Sequence, residues 1–275
     1  MLARIIGPAT GAAVFLFSAF ALQAEDRAAP SGAETARPPG VVTFTFDDGL
    51  RSQYDLALPL LVDYGVPGTL FVVSDFADTA DAASGLKTGK AQVFMTWDEI
   101  RAYQAAGWEI GSHSATHPHL SEHAPDRITA EIETAAQRIA EETGRRPAAF
   151  APPYGDFDAR SLEIAMRRHS SHVLAWDETG TGNRIASLDP ARIVRLEVGS
   201  DMAPEIACAE VLRAAREGRW LVLMFHGFVE EDPGSYEYAT GDFAEILACA
   251  DYLRDAGLVR FATVTDVVEE AAATN

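Results

Sequence analysis

The 275-residue chain has two lysines, Lys87 and Lys90, against 41 acidic residues, and its formal net charge is −19. Negative charge at that density repels polyanions, so nucleic acid is excluded as a partner and anionic surfaces are disfavoured. Long apolar runs are also missing. The main one, residues 12–22 (AAVFLFSAFAL), is too short to span a bilayer comfortably. It follows Arg4 and ends near an A-x-A triplet at 19–21, with Ala24 as a second small residue. That is the pattern of a secretory signal, so residues 1–24 are expected to be cleaved, leaving no stable membrane anchor. The protein is then expected to be exported, periplasmic or secreted. Cysteine is scarce: Cys208 and Cys249 are too few for a thiolate metal cluster. Both fall in predicted helices. A disulfide needs those helices to be neighbours, and two buried thiols are the alternative. No Gly-rich loop follows the first predicted strand, which weakens a doubly wound nucleotide-binding sheet.

What is present describes a packed domain. Hydrophobic residues make up 48% and charged residues 23%, a balance that builds a core. Residues 25–40, rich in Ala, Pro and Gly, read as a disordered tether, and the domain as 41–275. Short β-branched or aromatic runs at 41–46, 68–73, 108–111, 148–151, 172–176, 193–197, 220–225 and 260–264 read as strands. Helices are expected at 53–64, 96–107, 125–143, 158–168, 204–217, 242–256 and 266–272. Thr96 and Glu99 form a capping-box pattern, and Gly144 stops the longest helix. Strands and helices alternate, so the fold class is α/β with a mainly parallel sheet, and a closed barrel fits better than two domains.

Residues with chemistry fall at strand ends. Asp47 and Asp48 follow the first strand. Adjacent carboxylates raise one another's pKa unless a cation relieves them, although the segment alone is also an ordinary turn. His113 and His117 follow the third strand at i and i+4, a spacing that lets two imidazoles face one ion. His119 lies beyond Pro118 and reads as supporting or surface. His226 ends a strongly apolar strand. In a barrel all these groups share the C-terminal mouth, where such folds keep their active sites. Pro152-Pro153-Tyr154-Gly155 fixes a backbone that can aim an N–H group at a developing oxyanion.

TFDDG at 45–49, SHSATH at 112–117, PPYG at 152–155 and MFH at 224–226, in this order, resemble the polysaccharide deacetylase family, which has the NodB homology domain and is also called carbohydrate esterase family 4. The likeness runs from about residue 41 to about 270. It implies a distorted (β/α)7 barrel. It also implies one divalent metal on Asp48, His113 and His117, with zinc as the usual ion and cobalt or nickel as alternatives. Asp47 would be the general base for a metal-activated water, and His226 the general acid. The backbone N–H of Tyr154 would stabilise the oxyanion. Met224, in place of the usual Leu, and Pro153 would contact substrate. The substrate implied is an N-acetylated, or O-acetylated, carbohydrate polymer or oligomer.

Besides Met224, two features depart from the family. Ala151 stands where an Arg commonly tethers the base. The segment 176–183 lacks an acid at the position that orients the catalytic His, and Asp177 is the nearest candidate. These departures support two alternatives: a catalytically weak metal- and glycan-binding protein, and a C–N hydrolase of a small non-sugar amide. Walls for the substrate are expected from the loops at 74–92 and 228–241, with Phe228, Tyr236 and Tyr238. Nothing in the sequence sets an oligomeric state.

Overall fold

In the computed structural model, β1 (Gly40–Phe46) is buried on both faces. It pairs in parallel with β2 (Gly68–Val72) on one side and β7 (Trp220–Phe225) on the other. Two-sided burial is why this strand reads as a continuous apolar run rather than an alternating one. The structure describes residues 38–79, 93–177, 180 and 182–274. The expected signal segment, most of the tether and most of the loop expected at 74–92 lie outside the described residues.

From β2 the sheet continues through β3 (Glu109–Ser112), β4 (Ala149–Phe150) and β5 (Ser171–His172); from β7 it continues to β6 (Leu196–Glu197). The two ends meet through residues 190–198. His172 N–H donates to Pro190 O (2.8 Å) and Leu174 N–H to Ile193 O (2.7 Å), while Val198 N–H donates to Met224 O (2.8 Å). This closes a seven-strand distorted parallel barrel, as expected, with β10 (Val259–Phe261) paired to the start of β1. Helices α1 (Leu58–Tyr64), α2 (Trp97–Ala105), α3 (Pro125–Thr143), α4 (Ala159–Met166), α5 (Pro204–Glu217), α6 (Thr240–Asp255) and α7 (Val264–Thr274) surround it. Thr96 caps α2 with the reciprocal Glu99 bond. The stretch at 228–241 is not a plain loop, because β8 (Gly227–Val229) and β9 (Glu237–Ala239) pair within it.

Strand alternation assigns the faces. Val42, Phe44 and Phe46 pack outward with the helices, whereas Val41, Phe71, Ala149, Val173, Ile193, Trp220 and Val222 form the interior cluster. Carried along each strand by twos, the interior face reaches Asp47 just past β1, His113 past β3, Arg195 before β6, and Met224 and His226 on and past β7. The barrel thus collects polar groups at one mouth. At the other end Glu109 accepts from Thr69 (2.9 Å) and from Thr265 in the first turn of α7. Cys208 on α5 and Cys249 on α6 form a disulfide, with Cα atoms 6.0 Å apart, which resolves the pairing left open by the sequence.

Candidate active site

Asp48 ends the β1 turn with φ +74°, and His117 (φ +60°), Ser114 (φ +67°) and Tyr154 (φ +60°) share the left-handed region. Such residues cost on the order of 1 kcal/mol or more each, so surrounding contacts must hold them there. Four of the six non-glycine residues with positive φ among the described residues lie at this mouth; Asp78 and Asp232 are the others. The hydroxyl of Ser114 accepts from His117 N–H (3.0 Å), closing the loop between the two histidines.

The predicted ligands come together. Nε2 of His117 lies 3.3 Å from Nε2 of His113 and 3.3 Å from Oδ1 of Asp48, and His113 Nε2 lies 3.6 Å from that same oxygen. A tetrahedral ion bound at 2.0–2.1 Å has ligand–ligand edges of about 3.3–3.4 Å. The donor set and its spacing therefore fit one divalent ion. The three side chains are buried, and Asp48 Oδ1 has no hydrogen-bond partner among the described residues, which is costly unless a cation faces it. Nδ1 of His113 contacts Ala151 O at 2.7 Å, which sets Nδ1 as the protonated nitrogen and leaves Nε2 as the donor to a metal. Burial lowers the His113 pKa to about 4, against the pull of Asp47 and Asp48, so the ring is neutral, as a ligand must be.

Asp47 is 2% exposed and is gripped by a residue absent from the sequence-based candidates. Arg195 donates from Nη1 to Asp47 Oδ1 (2.7 Å) and from Nη2 to Oδ2 (2.9 Å), and its Nε donates to Leu174 O (2.8 Å). The guanidinium lies 5.5 Å from the centre of the Phe71 ring. Burial would raise the Asp47 pKa; Arg195, with His113 and His226, more than reverses this and holds the carboxyl below its usual range. The Arg missing at 151 is thus replaced from a different strand. The signal was present: in Ile193-Val194-Arg195-Leu196-Glu197, alternation places an arginine on the interior face, where it requires an acid.

Other placements refine the expectations. His226 is half-buried, and its backbone carbonyl shares the Gln53 side-chain amide with Asp47 O (2.9 and 2.6 Å). Gln53, fully buried, thereby ties the tips of β1 and β7. Met224 lines the pocket, but Pro152 rather than Pro153 does so, because Pro153 is packed inside the turn that it starts. Asp177 does not line it; its carboxylate accepts from Gly180 N (2.8 Å) and Gly182 N (2.7 Å) and organises its own loop. Phe228 and Tyr238 are core residues at 2% exposure, whereas Tyr236 (48%) and Trp176 (50%) form the wall. His119 stacks on the Tyr154 ring at 4.1 Å. Gly155, at φ +65°, sits where a Cβ would come within 2.7 Å of Ala175. The pocket holds about 210 Å³.

A family model described as polysaccharide deacetylase matches residues 34–169, which include the β1 aspartates, both histidine ligands and the Tyr154 turn. The chain belongs to the polysaccharide deacetylase family. Among curated proteins it is similar to chitin deacetylase 1 of Cryptococcus neoformans var. grubii, at 27% identity over 53% of this chain and 27% of that protein. Matches to the curated relatives span 18–42% of their length. Among solved structures, the family 4 carbohydrate esterase from Streptomyces lividans in complex with acetate superposes with a TM-score of 0.52 at 22% identity, covering 82% of this chain and 91% of that one. The Xyl-CE4 domain of a multidomain xylanase from the hindgut metagenome of Trinervitermes trinervoides gives 0.54 at 16% identity, covering 85% and 92%. At these identities the likeness establishes the fold.

Proposed function

We propose that this protein is a metal-dependent hydrolase that removes acetyl groups from a carbohydrate polymer or oligomer, acting outside the cytoplasm. The observation that carries the reading is the buried Asp48–His113–His117 triad with the Asp47–Arg195 pair beside it in one pocket. A divalent ion on the triad, zinc by its nitrogen and oxygen donors, would polarise an acyl oxygen and make water acidic near neutral pH.

The chain's own groups supply the rest. Arg195 keeps Asp47 ionised and fixed in direction, at the expense of basicity, so Asp47 suits proton abstraction only from an acidified water. Each Asp47 oxygen keeps a further lone pair after bonding Arg195. His226, which lines the same pocket, would return a proton to the leaving amine or alcohol. Tyr154, with its backbone fixed by the left-handed turn, offers an N–H to the developing oxyanion. Met224 and Ala175 give the acetyl methyl an apolar contact. The binding-only alternative rested on two departures, and the Arg195 grip on Asp47 answers the first, the arginine missing at 151.

The test is acetate release from N- and O-acetylated oligosaccharides. Activity should vanish with chelator and return with zinc. Asp47→Asn should lower kcat by 10²-fold or more while retaining metal at one equivalent. Turnover that survives this change would remove Asp47 from the role of base.

A further inference from the structure

A second, larger cavity of about 750 Å³ adjoins the metal pocket and shares Gly155, Ala175 and Trp176 with it. The metal pocket alone is smaller than the roughly 300–1,000 Å³ of most small-molecule sites, so substrate beyond the acetyl-bearing group must extend out of it. Trp176, half-exposed, forms the boundary between the two spaces. Phe157 and Leu188 give the larger cavity an apolar wall, and Arg184 and Arg192 stand on its rim, both exposed.

These two arginines are unusual in this chain. Most described arginines are paired with a carboxylate, as Arg101, Arg127, Arg146, Arg168 and Arg260 illustrate. Among the described residues, neither Arg184 nor Arg192 makes an ion pair. Arg184 is within electrostatic range of Glu217, but that carboxylate is already held by Arg213 (3.0 Å) and Arg219 (3.4 Å). Among the described residues, two acids line the cavity, and both accept from local partners. Asp156 accepts from Ser121 through N–H (2.9 Å) and hydroxyl (2.7 Å), and Asp189 accepts from Ala191 N (2.9 Å). In a protein of net charge −19, an acidic ligand meets general repulsion; here Arg184 and Arg192 offset the charge of Asp156 and Asp189 and keep guanidinium donors open to a carboxylate.

We propose that this cavity receives a carboxylate-bearing sugar next to the acetylated one, so that the substrate is an acidic acetylated glycan. The inference rests on the deacetylase reading above and specifies its substrate class. Stacking on Trp176 would hold the sugar ring, and Arg184 and Arg192 would read the carboxylate.

The test uses two acidic glycans, a hyaluronan hexasaccharide and peptide-free murein strands, each against its carboxyl-reduced counterpart. At low salt, kcat/KM for acetate release from at least one acidic glycan should exceed that for its reduced form roughly fivefold, the effect of two partly exposed charge contacts. The Arg184→Gln/Arg192→Gln protein should bring that ratio near one, as should 1 M salt. The ratio is the readout because a general loss of folding scales both substrates alike. Ratios near one for both pairs in the unaltered protein, or a preference that survives the double substitution, overturn the proposal. If no glycan releases acetate, the deacetylase reading fails separately. The same pairs are then titrated calorimetrically: tighter binding of an acidic form that the double substitution abolishes upholds the cavity assignment, and equal binding rejects it.

Discussion

Arg195 and Asp47 form the decisive contact at the scale of single residues. Both are almost fully buried, so each is costly without the other, and removing one leaves an unpaired charge in the barrel. Arg195→Met should therefore destabilise the fold by about 3–5 kcal/mol. Adding Asp47→Asn to it should recover much of that loss, giving a large coupling energy in a double-mutant cycle of urea unfolding. Additive effects would mean that the bidentate contact is not energetically coupled. Sequence reading found Asp47 and the three residues that converge beside it, Asp48, His113 and His117, because they sit in contiguous motifs. It missed Arg195 because the partner is 148 positions away and only the inward face of a short strand marks it. Gln53 left no comparable trace, since its amide works on the backbone carbonyls of Asp47 and His226.

At the scale of elements, α3 does more than cover the sheet. Glu131 on its inner face is 2% exposed and accepts from Ala115 N (3.2 Å), Thr116 N (2.8 Å) and Thr116 Oγ1 (2.7 Å). It thereby anchors the loop between His113 and His117, and Arg127 balances its charge. Outer supports of this kind typically cost 10–100-fold in metal affinity when lost. Glu131→Ala should weaken zinc binding by that factor in competitive titration, and Glu131→Gln, which keeps one acceptor oxygen, should fall between. Unchanged affinity in a folded Ala variant would make Glu131 a stabiliser of α3 alone. Helices were the most legible elements: the expected spans 125–143 and 204–217 coincide with α3 and α5 because apolar periodicity, Pro starts and Gly stops agree. Strands β4 to β6 are two residues each, too short for a period of two to mark their bounds. The disulfide joins α5 to α6 across 41 positions, a closure worth about 4 kcal/mol in the chain-entropy account.

At the scale of the whole molecule, alternating strands and helices announced a barrel, and 193–197 read as one of its strands, but the hydrogen bonds through residues 190–198 that close it involve irregular backbone around the two-residue β6. The same region shelters His172, buried against Phe150 and Phe157, with His169 also against Phe150. Burial lowers their pKa values to about 3 and about 4. In the unfolded chain both titrate near 6.5. Below that pH the unfolded state takes up protons that the folded state refuses, so stability is complete above about 6.5 and falls as the medium acidifies. From pH 6.5 to pH 5 each histidine should remove about 2 kcal/mol. Relief of the −19 charge works in the opposite direction, but most carboxylates titrate below this window, so the histidines dominate it. Urea unfolding at constant zinc should show stability declining across pH 6.5–5. His172→Leu should reduce that slope by about one proton. A slope unaltered by the substitution would show that His172 is protonated in the folded protein, contrary to its burial among aromatic rings.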